Sequence, residues 1–338
     1  MLDTVGTEII ILKNAPSIPG LVFRRFRGEV DYAHMAALIN ACKVADGVER
    51  TANVEDIAHN YRHLENSDTR TDMLFGEVDG QVIAYGRIWW EELSDATRIF
   101  HPFGFLHPGW RDKGIGPVMW DAAEARCREI ASGHPKEKPK FFQVEPFETE
   151  RDLITLLVNH GYEPVRYETH MVRDLSEPFP EAPMPPGLEV HPVKPEHLHP
   201  IFEASNEAFR DHWGVRDMSE EEYKADLDSP DFHPELWKVA WEGDQIASVI
   251  HNFINEKENK EYQRKRGYTE GICTRRPWRK LGLARSLLVQ SMKMFKEMGM
   301  TETALSVDSQ NLSGAFRLYE GVGYRKVKQQ ILYRKPLE

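Results

Sequence analysis

The pattern of apolar and polar positions in the first half of the chain predicts a series of strands with a helix between them. Residues 21–24 form an apolar run that predicts a first strand, and a helix is expected at about residues 31–42. Further apolar runs at residues 73–78 and 81–85 flank an Asp-Gly pair. An Asp-Gly pair between two such runs predicts a hairpin with a tight turn.

The second half of the chain repeats this pattern. Residues 188–191 predict a first strand, and a helix is expected at about residues 196–209. The runs at residues 237–241 and 245–250 flank a short glycine-containing turn, which predicts the same hairpin. The chain is therefore expected to be an internal duplication.

A glycine turn follows the hairpin in each half, between a strand-like run and an amphipathic helix. Its second-half copy consists of Arg279, Lys280, Leu281, Gly282, Leu283 and Ala284. The first-half copy keeps Arg111, Gly114 and Gly116 at the matching positions. Such a turn lets backbone N–H groups converge on an anion at a helix N-terminus. Five positive charges between residues 275 and 285 favour a polyphosphate as that anion.

A proline-rich segment separates the two repeats. Residues 176–187 contain five prolines, which oppose both helix and ladder formation and favour an extended spacer. We therefore expect an N-terminal domain at residues 1–175, a linker at 176–187 and a C-terminal domain at 188–338. Each domain runs from a hairpin through strand, turn, helix, strand, helix and strand, which predicts an α/β (α+β) fold with a mixed sheet.

Composition and charge exclude several classes of protein. The 338 residues carry a formal net charge of −11, which argues against general nucleic-acid binding. Three widely spaced cysteines fit neither a disulfide framework nor a zinc cluster and favour a reducing compartment. No run resembles a signal peptide or reaches 18 apolar residues, so we expect a cytoplasmic protein that does not span a membrane. The P-loop pattern is absent, and a dinucleotide fold would place its glycines earlier.

The last part of the chain carries a more specific motif. A strand-like run is followed by Asn311, and a helix containing Leu318-Tyr319 is followed by Gly323-Tyr324. Together with the glycine turn, this pattern resembles the GNAT superfamily of acyl-coenzyme A-dependent acyltransferases. The resemblance covers residues 188–335 and, more weakly, residues 21–174. It implies two tandem GNAT domains, each a mixed, mostly antiparallel sheet flanked by helices. The duplicated layout is similar to that of mycothiol synthase in architecture alone.

The resemblance implies acetyl-CoA as co-substrate and no metal. The pyrophosphate of coenzyme A would bind the N–H groups of residues 280–284. Its peptide-like arm would pair with the strand edge formed by Ile272, Cys273 and Thr274. Asn311 would either cap the last helix or hold this arm. Tyr319 matches the tyrosine that protonates the departing thiolate, although packing against the sheet is the alternative.

Acyl transfer to an amine also requires a base, because an alkylamine is protonated at neutral pH. Glu270 is expected on the same strand face as Ile272 and Thr274 by alternation, where burial would raise its pKa; it is otherwise an ordinary edge charge. His212 is either a base or acceptor ligand or a surface histidine, and Trp213 either shapes the acceptor pocket or packs in the core. Cys273 is expected in the core, since direct transfer needs no covalent intermediate.

The first half departs from the motif at both proton-transfer positions. Alignment on the glycine turns sets Pro102 at the position of Glu270, and alignment on Gly161-Tyr162 sets Leu157 at the position of Tyr319. Leucine cannot protonate a thiolate, so we expect a non-catalytic domain that either binds acyl-CoA or only supports the other half.

These inferences lead to two hypotheses of different class. The first is an N-acetyltransferase that moves an acetyl group from acetyl-CoA to a primary amine of a small molecule by direct transfer in the C-terminal domain. The second is a regulatory protein that binds acyl-CoA without turnover. The sequence leaves open the acceptor, the acyl chain, the identity of the base and the choice between monomer and homodimer.

Overall fold

The chain folds into two compact units that exchange their last strands. In this computed structural model, which describes residues 8–229, 232–311 and 314–338, the first unit takes the chain up to Val165 together with Ile331–Glu338. The second unit is Arg166–Gln330. Each unit is described on its own.

The first unit is built on a mixed sheet. Its strands are β1 (Ile9–Ile10), β2 (Leu21–Arg24), β3 (Met73–Val78), β4 (Gln81–Glu92), β5 (Arg98–Leu106) and β6 (Lys140–Val144). Neighbours along the order β1-β2-β3-β4-β5 are antiparallel, and β5 pairs with β6 in parallel. The end of the last strand of the chain, β13 (Arg325–Pro336), adds antiparallel to β6.

Four α-helices cover the first unit in its described residues, 8–165 and 331–338. They are α1 (Tyr32–Asp46), α2 (Val54–Arg62), α3 (Ile115–Ser132) and α4 (Arg151–Asn159). Aromatic side chains dominate the core beneath α1 and α2, where Phe75 and Tyr85 are buried with Phe26. A second cluster holds Phe100, Phe142 and the end of α3.

The second unit repeats this sheet. Its strands are β7 (Glu163–Asp174), β8 (Glu189–Val190), β9 (Lys238–Glu242), β10 (Gln245–Phe253), β11 (Arg266–Thr274) and β12 (Glu302–Asp308). The order is β8-β9-β10-β11-β12-β7, in which only β11 and β12 are parallel among the registers described. Both units thus have the mixed, mostly antiparallel sheet that the sequence predicts.

Five helices accompany the second sheet in the described part of the chain. They are α5 (Leu198–Phe209), α6 (Glu220–Leu227), α7 (Glu256–Glu261), α8 (Leu283–Glu297) and α9 (Ala315–Gly321). Leu287, Met292 and Phe295 on α8 pack with Tyr319 on α9 against one face of the sheet. On the other face α5 packs through Ile201 and Ala204. None of the helices described is long and apolar enough to cross a membrane.

Both predicted hairpins are confirmed, with two-residue turns. Val78 pairs with Gln81 around Asp79 and Gly80, and both turn residues have positive φ, 49° and 81°. This is the backbone twist that suits a two-residue hairpin and explains the Asp-Gly pair. Glu242 pairs with Gln245 in the second unit in the same way.

The compact units do not divide the chain where its composition suggests. The chain passes from one unit to the other within β7 and returns within β13. The proline-rich residues 176–187 contain neither helix nor strand, but they belong to the second unit, where Phe179 and Met184 pack against its main core. Proline content therefore marks an extended segment here, and this segment covers the core instead of spanning free space.

Candidate active site

The glycine turn of the second unit places backbone N–H groups at the start of α8. Lys280 and Gly282 have φ values of 63° and 83°, so the backbone enters the left-handed region twice within three residues. Gly282 is the N-cap of α8 and no side chain caps the helix. The first N–H groups of α8 therefore have no side-chain acceptor, which suits an anion. Leu281 is exposed and Leu283 is buried, so both contribute only their backbone to this surface.

Arg279 holds the turn in place. Its guanidinium donates to the carbonyl oxygens of Thr274 and Ala208 over 2.8 and 3.0 Å and to the Asp211 carboxylate over 2.6 Å. These bonds tie the turn to β11 and to the end of α5. The guanidinium is committed to the protein, so Arg279 supports an anion site through position and not by direct contact.

The cluster of positive charges is largely neutralised. Arg275 pairs with Glu207 over 2.7 Å, and Arg276 pairs with Asp211. Hydrogen bonds from Arg276 and Arg279 hold the pKa of Asp211 well below its usual range. Among the described residues, Lys280 and Arg285 have no ion-pair partner. Two cations therefore remain available beside the turn.

The parallel strands β11 and β12 separate next to this turn. Their paired register runs from Arg266 opposite Glu302 to Tyr268 opposite Ala304 and ends there in the described residues. Beyond Tyr268, the edge of β11 that faces β12 is free of this pairing. Ile272, Cys273 and Thr274 lie on that stretch, as the predicted role in binding a peptide-like arm requires.

A β-bulge lies within this stretch of β11. Val249 pairs with Cys273, but His251 pairs with Glu270, so β11 has one extra residue between the two pairs. Gly271 has a φ of 57°, and a Cβ there would lie 2.6 Å from Nδ1 of His251. Glycine is therefore required at this position for both conformation and space.

The bulge overturns one prediction from strand alternation. Cys273 packs on the α5 side of the sheet with Val249, whereas Ile272 packs on the α8 side. Glu270 lies opposite His251, two residues beyond Val249, and therefore faces the α5 side. The expectation that Glu270 shares a face with Ile272 is wrong because the extra residue reverses the alternation.

Glu270 has the electrostatics of a base that works near neutral pH. Burial, reinforced by the negative charge of Glu168, raises the pKa of Glu270 to about 8, and a backbone hydrogen bond from Ser306 opposes the shift. His251 opposite it is half-buried, and burial of its ring lowers the pKa of His251 to about 4. The imidazole is therefore neutral, and its Nε2 atom has no hydrogen-bond partner.

The pKa values of Tyr319 and Cys273 are also raised. Tyr319 on α9 is 5% exposed. Burial raises its pKa, and Tyr324, Glu270 and Cys273 raise it further, so the hydroxyl stays protonated. Burial also raises the pKa of the Cys273 thiol to about 11. A thiol held protonated in the core is a poor nucleophile, in agreement with the predicted core position.

The remaining predicted residues lie around the end of β12. The N-cap of α9 is Gly314, which has no side chain to act as a cap, and Asn311 lies three residues before it. His212 is partly buried, and burial followed by the charge of Arg279 lowers its pKa. Trp213 is 43% exposed and lies under the Arg166 guanidinium at 4.6 Å. Arg166 in turn pairs with Asp308 at the end of β12.

The first unit reproduces the turn. Arg111 donates to Asp46 over 2.6 Å and to the carbonyl oxygen of Leu106 over 3.4 Å, as Arg279 does to Asp211 and Thr274. Gly114 has a φ of 79° and is the N-cap of α3, and Gly116 lies in the first turn of that helix. The pairing of β5 with β6 also ends early, at Phe100 opposite Phe142.

The first unit lacks the bulge and the two proton-transfer groups. The register of β4 with β5 is unbroken, and Phe103 lies opposite Arg87. Arg87 and His251 occupy the same position counted from the start of β4 and β10. Phe103, and not the Pro102 that the sequence alignment indicated, therefore matches Glu270 in the sheet. Leu157 at the position of Tyr319 is completely buried.

A large cavity lies in the first unit. Its volume is about 940 Å³, and it is lined by Arg111, Gly114 and Gly116 of the turn together with Phe103 and Arg87. The residues described include no group of His, Cys, Asp or Glu side chains placed to hold a metal ion.

Two features of these sites were missed from the sequence. The pairing of His251 with Glu270 depends on strand register, which no local pattern reveals. The bulge did leave a signal, since a glycine inside a strand-like run, such as Gly271, often marks one.

Comparison with known proteins connects these sites to a family. Residues 201–335 match the family model described as an acetyltransferase (GNAT) domain. A GCN5-related N-acetyltransferase from Sphaerobacter thermophilus is 25% identical with a TM-score of 0.73, covering 97% of this chain and 98% of that one. Among curated protein sequences, none matches this chain.

Two further solved structures share the architecture. A tandem GNAT protein from the clavulanic acid biosynthesis pathway is 14% identical with a TM-score of 0.66, over 94% of this chain and 99% of that one. A GCN5-related glucosamine N-acetyltransferase region of a fungal multi-domain GH3 β-N-acetylglucosaminidase is 14% identical with a TM-score of 0.69, over 96% of this chain and 39% of that one.

Proposed function

We propose that the second unit transfers an acetyl group from acetyl-CoA to a primary amine of a small molecule, because residues 201–335 match the acetyltransferase (GNAT) domain model and the whole chain resembles tandem GNAT structures in fold. The observation that carries this proposal is the presence of two groups whose pKa values burial raises, Glu270 and Tyr319. Glu270 has a pKa of about 8 and lies close enough to Tyr319 to raise the pKa of that phenol.

The reaction proceeds in one complex, without a covalent enzyme intermediate. Glu270, directly or through a water molecule, accepts a proton from the ammonium form of the acceptor. The free amine attacks the thioester carbonyl carbon, and a backbone N–H near Ile272 stabilises the resulting oxyanion. The carbon–sulfur bond then breaks, and the hydroxyl of Tyr319 donates its proton to the departing thiolate. The surplus proton on the nitrogen leaves as the amide forms and returns the phenolate of Tyr319 to its protonated form through solvent.

Binding of the co-substrate relies on backbone groups. The N–H groups at the start of α8 hold the pyrophosphate, with Lys280 and Arg285 as nearby cations. The open edge of β11 pairs with the peptide-like arm, and Asn311 holds the same arm from the loop after β12. His212 and Trp213 form part of the acceptor pocket.

The first unit binds acyl-CoA without turning it over. The retained turn and the cavity of about 940 Å³ favour binding, whereas Leu157 and the missing bulge remove the means of proton transfer. This is also the observation that favours the second candidate function, a protein that uses acyl-CoA as a regulatory signal.

Matched substitutions in the two turns test the proposal. Gly282→Glu and Gly114→Glu both place a carboxylate where the pyrophosphate would bind, at similar φ values of 83° and 79° and with no heavy atom closer than 3.6 Å to the added Cβ. Thiol release from acetyl-CoA is measured against a panel of polyamines, amino sugars, aminoglycosides and peptide amines. We expect acceptor-dependent release that Gly282→Glu abolishes and Gly114→Glu preserves.

Calorimetric titration of acetyl-CoA completes this test. The parent protein should bind at two sites, and each variant should lose one of them. Acetyl-CoA binding without thiol release for any amine would favour the regulatory function. Absence of binding by the parent protein would contradict both functions.

A further inference from the structure

Arg87 in the first unit is a half-buried cation that has no ion-pair partner among the described residues. Its Nε and Nη1 atoms are shielded from solvent and make no hydrogen bond, and no carboxylate of the described residues pairs with it. The guanidinium carbon lies 5.1 Å from the ring centres of both Tyr61 and Phe103. Two aromatic rings therefore hold the guanidinium in position but satisfy none of its N–H donors.

This arrangement is energetically costly for the protein alone. Burying a charged group that lacks a hydrogen-bonding counter-ion destabilises a fold. Three of the acidic side chains that line the same cavity are committed to other arginines: Asp72 to Arg126 over 2.8 Å, Glu150 to Arg50 over 3.0 Å and Asp46 to Arg111 over 2.6 Å. The fold thus pairs the neighbouring guanidinium groups and leaves that of Arg87 unpaired.

A second unsatisfied donor lies beside Arg87. The hydroxyl oxygen of Tyr61 is also buried and has no hydrogen-bond partner. Unsatisfied buried polar groups are uncommon in native proteins, and each one calls for an explanation. A carboxylate is a planar anion that can accept hydrogen bonds from a guanidinium.

The position of Arg87 suits a ligand of the first unit. Arg87 lines the same cavity as Arg111 and Gly114 of the turn, and the lining between them includes the apolar side chains of Phe105 and Leu106. In the sheet, Arg87 occupies the position that His251 has opposite Glu270 in the second unit. An anion at Arg87 therefore lies near the place where the acyl group is expected, and away from the pyrophosphate turn.

We propose that the first unit binds a carboxylate in the cavity lined by Arg87, with the Arg87 guanidinium as its counter-ion. The carboxylate belongs either to an acyl-CoA whose acyl chain ends in a carboxylate or to a separate small carboxylic acid in the same cavity. The first of these sources rests on the proposed binding of acyl-CoA by this unit. The site gives the first unit a ligand specificity that the second unit, with a neutral histidine at this position, does not share.

Binding of matched thioesters tests the proposal. The protein carries Gly282→Glu to silence the second unit and is titrated with succinyl-CoA and with butyryl-CoA, which has the same number of acyl carbons and no carboxylate. We expect at least tenfold tighter binding of succinyl-CoA, and we expect Arg87→Met to remove this preference. Free succinate is titrated as a separate arm, and saturable binding that Arg87→Met abolishes would assign the carboxylate to a separate ligand.

Thermal unfolding separates a binding role from a structural one. Without ligand, Arg87→Met replaces an unpaired cation by an apolar side chain and should raise the melting temperature of the first unit. The control Arg126→Met removes a cavity-lining arginine that is already paired with Asp72, so it should lower the melting temperature and keep the preference for succinyl-CoA.

The outcomes distinguish this proposal from the proposed function. Equal affinities for the two thioesters, with no binding of succinate, would overturn the carboxylate site and leave acyl-CoA binding intact. A preference for succinyl-CoA that survives Arg87→Met would also overturn it. Absence of binding by both thioesters and by succinate would overturn the carboxylate site and acyl-CoA binding by the first unit together.

Discussion

Burial sets the protonation states of the two residues proposed to move protons. It raises the pKa of both Glu270 and Tyr319, but the consequences differ because the ordinary values differ. The pKa of Glu270 rises to about 8, so its carboxyl group exchanges protons readily at physiological pH. The pKa of Tyr319 rises far enough that its hydroxyl stays fully protonated. One environment therefore provides a base and an acid at the same pH.

The pH dependence of turnover should follow the ionisation of Glu270. Only the carboxylate form can accept a proton, so kcat/KM should rise with pH and level off above about 8. Glu168→Gln removes a negative charge that raises this pKa and should move the rising limb to lower pH. Glu270→Gln should lower kcat by about 10²-fold or more and remove the limb. If the rise of kcat/KM with pH is unchanged in both variants, another group is the base.

Tyr319→Phe should reduce turnover with little effect on binding of coenzyme A. The substitution keeps the aromatic ring in the core beside Tyr324 and removes only the acidic proton. We expect kcat to fall by roughly 10²-fold and the calorimetric affinity for coenzyme A to stay within about threefold. Unchanged kcat across the pH range would exclude Tyr319 as the acid.

At the scale of single elements, one bulge makes β11 different from β5. The extra residue turns Glu270 toward the α5 side of the sheet, while the next stretch of strand is not paired with β12 in the described register. In β5 the register is continuous, and Phe103 lies at the matching position. The second unit, which we propose to be catalytic, therefore differs from the first in backbone geometry as well as in side chains.

Gly271→Ala tests the contribution of the bulge. A methyl group there would clash with the His251 ring and occupy an unfavourable φ of 57°, so the strand must shift and move Glu270. We expect a large loss of kcat with retained binding at the turn. Gly243→Ala is the control, because its φ of 60° imposes similar strain with open space around the Cβ. That variant should lose about 1 kcal/mol of stability and keep its turnover.

At the scale of the whole molecule, each unit is completed by a strand from outside its own repeat. The last eight residues of the chain belong to the first unit, where Tyr333 is buried in the core and Lys335 pairs with Glu124 over 2.7 Å. Most of β7 belongs to the second unit and pairs with β12. Neither repeat, cut at the proline-rich segment, would contain its complete sheet.

Deletion of Ile331–Glu338 should therefore destabilise the first unit, although these residues follow the second repeat. Loss of a buried aromatic side chain alone costs about 3 kcal/mol, which lowers a melting temperature by roughly 10 °C in a unit of this size. Hydrogen exchange should increase in β6 and α3 and remain unchanged in β10 and α8. The opposite pattern, with exchange increased only in the second unit, would contradict the exchange of strands.

The predictions that succeeded rest on short-range patterns. The Asp-Gly hairpin, the two glycine turns and the helices after them follow from conformations that a few neighbouring residues impose, such as positive φ at Gly282. The motif around Tyr319 is local in the same sense. Such features determined the fold class and the resemblance to GNAT proteins from the sequence by itself.

The tertiary structure decided what depends on partners distant in sequence. Strand register revealed the bulge and set Glu270 opposite His251, and it matched Phe103, not Pro102, to Glu270. Sheet completion placed the end of β13 in the first unit, although its residues follow the second repeat. The ion pair of Arg279 with Asp211, and the lack of an ion-pair partner for Arg87 among the described residues, likewise depend on contacts between distant segments. The sequence by itself therefore determined the elements and their order. Long-range packing decided which side chains meet, because burial and strand pairing exist only once the core has assembled.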